Sequence, residues 1–285
     1  MAKFISDDVR KKIVELFYKA DSLTRNDLSL DENSYLTDLT SNLKREKEKM
    51  SISDFGIYTV KMPAGPERTL GADGIIIFEN QNLKTVKIGM FEAKWLIEHN
   101  GKYRDSWDEN NLKKAFSRYT NELIKQLKIP SQVAVFTMFQ SMQDLDVKNI
   151  DFPSFSLKGT TNVWSDTVLD YVFNKNNRNR LLNSSSWKKE DAQYLVKKGV
   201  NLGDVINEIL LCHKGKQIDI TDVKKENIGT RFVSVKDGEN KLLIPIPSID
   251  IYKNYHTYSY KKLEKWMLKK SLSTFIHVKT GRRID

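Results

Sequence analysis

The chain is expected to be an α/β protein with a mixed central sheet flanked by helices, followed by an α+β C-terminal region. Three observations lead there. Helical periodicity dominates the first fifty residues, and short β-branched or aromatic runs follow between residues 55 and 95. A further helical pattern then precedes a near-continuous apolar run over 132–139, as a strand buried on both faces requires. Helix, three strands, helix and strand in that order imply helices layered on a sheet.

The elements can be justified one by one. Ser6-Asp7-Asp8 opens a helix, with acids early and Val9, Ile13, Leu16 and Phe17 at helical spacing. A second helix begins near Asp31 and keeps the period through Glu32, Tyr35, Leu36, Leu39 and Leu43. Residues 55–62 form a strand closed by Pro63-Ala64-Gly65-Pro66. Residues 72–78 form a second strand around Ile75, Ile76 and Ile77, and Glu79-Asn80-Gln81-Asn82 a polar turn. Residues 85–95 form a third strand with Val86, Ile88, Met90 and Phe91. A helix over 109–127 carries Leu112, Phe116, Tyr119, Leu123 and Leu127, and Pro130 ends it. Beyond residue 150, helices are expected over 165–173, 188–198, 203–213 and 258–272, with strands over 232–235 and 241–246 around Asp237-Gly238. The stretch 174–180 reads as a loop or linker. The expected division is a core over 1–150 and a recognition region over 151–285.

Composition narrows the function classes. The 285 residues carry a formal net charge of +10, which favours a polyanionic partner such as nucleic acid. The single cysteine, Cys212, rules out an internal disulfide; after Ile209, Leu210 and Leu211 it is expected to be buried. No signal peptide or membrane-spanning run is recognisable, so a cytoplasmic protein without a membrane partner is expected. His99, His213, His256 and His277 show no metal-ligand spacing, and neither a phosphate-binding glycine loop nor a nucleophile elbow is present.

The chemistry concentrates in Gly71-Ala72-Asp73-Gly74 and Phe91-Glu92-Ala93-Lys94. Glu92 and Lys94 lie two apart on a strand and so share a face of it. Charges on an apolar strand are costly unless paired or bound to something. If the second and third strands form a hairpin about residues 80–84, Asp73 meets the Glu92 end of its neighbour. Two close carboxylates repel unless a cation lies between them, and hard oxygen ligands suit Mg²⁺. Glu32 lies on the helical stripe of Leu36, Leu39 and Leu43, the face expected to pack on the sheet. The competing readings are a surface ion pair for Glu92 and Lys94, a turn residue for Asp73 and a helix-start acid for Glu32.

Taken jointly, these residues resemble the PD-(D/E)XK superfamily of restriction-endonuclease-like nucleases, over roughly residues 30–140. Alanine, not proline, precedes Asp73. The resemblance implies that Asp73 and Glu92 bind Mg²⁺ or Mn²⁺, that the Ala93 carbonyl adds a ligand, and that Lys94 orients or activates water. It implies that Glu32 holds a second metal or its water, and it places Gln126 where some members carry an accessory glutamine. The function so implied is a metal-dependent DNA endonuclease, by analogy of a restriction or anti-phage defence kind, working as a homodimer or with a partner protein. The alternatives are a recombination or repair nuclease, and a non-catalytic nucleic-acid-binding module of the same fold.

Overall fold

The computed structural model describes residues 3–26, 32–50, 53–62, 69–94, 96–99, 102–105, 118–140, 159–174, 177–178, 181, 187, 189–220, 230–247 and 258–281. The chain opens with α1 (Asp7–Asn26) and α2 (Glu32–Lys49), followed by β1 (Phe55–Lys61), β2 (Gly74–Asn80) and β3 (Thr85–Lys94). Next come β4 (Leu96–His99), β5 (Lys102–Asp105), α3 (Arg118–Gln126), β6 (Ala134–Phe139) and β7 (Thr161–Trp164). Then follow α4 (Ser165–Phe173), α5 (Lys189–Val196), α6 (Leu202–Leu210) and β8 (Ile218–Asp219). The chain continues with β9 (Thr230–Asp237), β10 (Asn240–Pro247), α7 (Tyr258–Lys270) and β11 (Thr274–Thr280).

The expected α/β architecture is present. The main sheet runs β1-β11-β2-β3-β6-β7, with β8 added on β3. β11 is parallel to β2 and β6 is parallel to β3, while β1–β11, β2–β3 and β6–β7 are antiparallel. β2 and β3 form the expected hairpin, Asn80 pairing with Thr85 and Gly74 with Phe91. Lys84 takes a positive φ of 51° in its turn, and Asn80 Oδ1 accepts the Leu83 N–H at 3.0 Å.

Alternation along the strands sorts the core into layers. Ile76, Phe78, Phe91, Ala93, Phe136, Met138, Ile276 and Val278 pack with α1, α2 and α6. Ile75, Ile77, Val86, Ile88, Met90 and Phe275 pack with Leu263 and Met267 of α7 and with the β9–β10 hairpin. A third cluster joins Tyr119 and Leu123 of α3 to Phe139, Val163 and the apolar sides of α4 and α5.

Several expectations need correction. No strand was expected over Thr274–Thr280, yet β11 lies inside the sheet between β1 and β2, with all seven residues buried. The boundary near residue 150 therefore does not divide the sheet. β7 and the β4–β5 hairpin were also unanticipated. Glu79 and Asn80 belong to β2 and are buried rather than forming a polar turn. Leu127 lies beyond the last turn of α3 and is exposed. The proposed helical positions Leu112 and Phe116 fall outside the described residues. In the stretch 174–180, Asn177 N and Arg178 N both bond the Asn174 carbonyl, closing a turn after α4.

Cys212 is exposed, not buried. It follows α6 with a φ of 64°, its N–H bonds Ile209 O, and His213 N–H bonds Glu208 O. These two bonds are those of a Schellman closure, in which the residue after the helix turns left-handed and leaves the apolar stripe.

Two buried charges lock outer elements to the sheet. Lys87 of β3 donates its ammonium to Ile209 O (2.9 Å) and Leu210 O (2.6 Å), closing the carbonyl end of α6 where a cation is favoured. On β2, Glu79 accepts from His277 Nε2 of β11 at 2.9 Å and from Arg231 of β9 at 2.5 Å. Burial raises the Glu79 carboxyl, but the hydrogen bond and charge of His277, with the charge and hydrogen bond of Arg231, more than offset it and bring it down to about 2. Burial holds His277 below the ordinary imidazole value, against the opposing pull of its hydrogen bond to Glu79.

A carboxyl depressed from 4.5 to about 2 takes up its proton more readily in the unfolded chain. Its stabilising contribution is fully present above pH 4.5 and is lost as pH falls toward 2. Urea unfolding of Glu79→Gln against the parent chain should therefore show a deficit on the order of 2–3 kcal/mol at pH 7 that narrows steadily below pH 4.5. A deficit independent of pH would remove Glu79 as an ionised anchor.

Candidate active site

Lys94 N–H and C=O face β6, since Gln140 N–H donates to Lys94 O at 2.9 Å and residues 94 and 139 are paired. Alternation then turns the Ala93 N–H and C=O the other way, toward the start of β2. There the Ala93 N–H donates to Asp73 Oδ2 at 2.7 Å. The Asp73 carboxylate is thus fastened to the amide that lies between Glu92 and Lys94. Asp73 N–H bonds Phe91 O at 2.8 Å, and the Asp73 carbonyl accepts from Ser273 N (2.8 Å), Thr274 N (3.1 Å) and Ser273 Oγ (3.2 Å). Backbone on both sides therefore holds the Asp73 turn, one of them the strand that was not foreseen.

Glu92 and Lys94 continue the face of Ile88 and Met90. The Lys94 ammonium pairs with Glu92 Oε1 and lies 2.8 Å from Glu122 Oε2 of α3. It also lies 5.4 Å from the centroid of the Tyr119 ring, a cation–π distance. Tyr119 and Thr137 of β6 share a hydrogen bond at 2.8 Å, and burial pushes the Tyr119 phenol up, keeping it protonated. Asp73, Glu92, Lys94 and Glu122 are 5%, 0%, 1% and 3% exposed, so this is an interior ion cluster and not the solvated pair of the competing reading.

Gln126 is buried and bonded on both sides of its carboxamide. It donates to Gly71 O at 2.5 Å and accepts from Ser165 Oγ at 2.8 Å. α3 thereby grips the turn leading into Asp73. Gly71 has a φ of 65°, and a Cβ there would stand 2.1 Å from Glu122 O. Only glycine permits that turn and that approach together.

The structure thus brings together three of the anticipated residues, Asp73, Glu92 and Lys94, sets the anticipated Gln126 against the turn before Asp73, and adds Glu122 and Tyr119 from the same helix. Glu32 opens α2, and no described contact joins it to the others; its side chain lies outside the described residues. The buried positions of α2 (Tyr35, Leu36, Leu39 and Leu43) pack on the face of Phe91 and Ala93, opposite to that of Glu92 and Lys94. Glu122 was missed although it falls three residues after Tyr119 and four before Gln126, on the stripe facing the sheet.

Among the described residues no group of three or more His, Cys, Asp and Glu side chains is arranged to hold a metal ion. Two carboxylates and the Ala93 carbonyl at one strand end still fit Mg²⁺ or Mn²⁺, since Mg²⁺ often takes only one or two protein carboxylates and fills its other positions with water and phosphate. No helix among the described residues is long and apolar enough to cross a membrane.

Gly71→Ala should cost more than about 2 kcal/mol in urea unfolding, because it forces both the backbone angle and a collision with α3. A change within about 0.5 kcal/mol would show that the contact between α3 and the Asp73 turn is not retained in solution. No protein-family model matches the chain, and no curated protein matches it in sequence.

Proposed function

We propose that the chain is a metal-dependent endonuclease that hydrolyses DNA phosphodiester bonds at Asp73, Glu92 and Lys94. The observation that carries this reading is the bond from Ala93 N–H to Asp73 Oδ2, which holds the Asp73 carboxylate at the residue between Glu92 and Lys94. Asp73, Glu92 and the Ala93 carbonyl would hold Mg²⁺ or Mn²⁺. Such an ion supplies Lewis-acid polarisation of a phosphodiester and acidifies water. Lys94, held from Glu92 and Glu122, brings positive charge to where negative charge develops on phosphorus.

The surroundings favour an anionic substrate. The last turn of α7 carries Lys269 and Lys270, and the chain then reaches Ser273, which bonds the Asp73 carbonyl. Lys61 of β1 reaches Ser273 Oγ (3.2 Å) and Thr274 Oγ1 (3.3 Å) beside them. Lys61 thus stands beside the Asp73 turn, with Lys269 and Lys270 a few residues ahead of Ser273 in the chain, and a nucleic-acid backbone would run past them. The formal charge of +10 agrees with that.

By analogy with the resembled superfamily the role is restriction or anti-phage defence, with recombination or repair as the competitor within the same chemistry. Cutting both strands with one site per chain favours a homodimer, or a partner protein that supplies the second cut. A second reading, a nucleic-acid-binding module without catalysis, draws on the near-complete burial of Glu92 and Lys94.

Incubation with supercoiled plasmid and Mg²⁺ tests the proposal. Nicking or linearisation is expected, abolished by chelation and slowed at least about 100-fold in Lys94→Ala, with circular dichroism confirming the fold. Equal cleavage by Lys94→Ala would refute the site. Binding without cleavage of any DNA or RNA would establish the second reading.

A further inference from the structure

α3 meets the candidate site with a single stripe of side chains. Tyr119, Glu122 and Gln126 follow at i, i+3 and i+7, which stacks them on one helix face. Tyr119 presents its ring to the Lys94 ammonium, Glu122 pairs with it, and Gln126 holds the Gly71 carbonyl ahead of Asp73. One helix face therefore grips both segments that build the site.

Resting on the metal-nuclease reading, we infer that Glu122 is a positioning residue that keeps the Lys94 ammonium in place and so releases Glu92 to a divalent cation. In the structure Glu92 and Glu122 share the ammonium. A carboxylate committed to a divalent cation has little charge left for a lysine. Lys94 is 1% exposed, so water cannot take the place of the lost partner. A buried charge stripped of its counter-ion is strongly unfavourable, and the cost would fall on cation binding. Glu122 removes that conflict: it stands 2.8 Å from the ammonium and comes from a different element, so Glu92 can turn without carrying the lysine along. The two acids divide the work, Glu92 toward the cation and Glu122 toward the lysine.

Calorimetric titration of the full chain with Mn²⁺ reads this directly, without reference to cleavage. Glu122→Gln should weaken Mn²⁺ binding at least about tenfold, because Lys94 then holds Glu92 against the cation. Adding Lys94→Met in the Glu122→Gln background should restore affinity to within about threefold of the parent chain, because Glu92 is freed again. Thermal unfolding without metal establishes that each variant is folded. If Glu122→Gln does not fold, Glu122→Asp carries the test: its shorter reach should give a smaller loss of affinity, again reversed by Lys94→Met. Unchanged Mn²⁺ affinity in the folded Glu122 variant, with the parent binding normally, overturns the positioning role alone. A double variant that stays weak makes Glu122 a direct ligand and also overturns it. A parent chain that takes up no Mn²⁺ overturns the nuclease reading and this inference with it.

Discussion

The arrangement at the end of β3 depends on keeping a lysine charged inside the protein. Lys94 is enclosed by two carboxylates and an aromatic ring, contributed by its own strand and by α3. Ionised groups withdrawn from water are tolerated only when their partners are in place, so strand end and helix have to arrive together. The Asp73 turn belongs to the same assembly, tied to Ala93 by its side chain and to Gly71 and α3 through Gln126. Rigid elements thus fix the relative positions of the charged groups.

The same rule governs the rest of the sheet. β2 and β3 are buried along their whole length, yet they contain Glu79, Lys87, Glu92 and Lys94. Each charge answers to an element that must be docked. Lys87 closes the carbonyl end of α6, and Glu79 ties β11 and the β9–β10 hairpin to the sheet. Apolar burial supplies most of the driving force, while these polar links discriminate among alternative packings of similar apolar content. β11 illustrates the coupling: it fills the gap between β1 and β2, supplies His277 to Glu79, and with Ser273 just ahead of it supplies amides to the Asp73 carbonyl.

Legibility along the chain followed the range of the physics. The α1, α2 and β1–β3 order could be read because helical and strand periodicities are local and strong there. The Asp73–Glu92 proximity was accessible because a tight hairpin makes sequence distance from the turn a measure of spatial distance. β11 escaped because a seven-residue strand containing His277, Lys279 and two threonines lacks the apolar continuity expected of a buried parallel strand. Cys212 was misplaced because its apolar neighbours signal burial, whereas the end of α6 reverses the chain at that residue. Glu122 went unremarked because an acid on a helix is ordinarily solvated, and nothing local announces a lysine waiting for it on another element.

By itself, the sequence determined the layered α/β class, the hairpin and the nearness of Asp73 to the Glu92 end of β3, since the periodicities and the tight turn behind them are local. Tertiary structure alone decided the strand order, the insertion of β11 and the approach of Tyr119 and Glu122 to Lys94. Those outcomes depend on pairing between segments far apart in the chain, of which the contacts from Lys94 to Glu122 and across Asp73 and Ser273 are instances. Such pairings are selected by the joint cost of burying every strand edge and every charge, a quantity that no single stretch of chain contains.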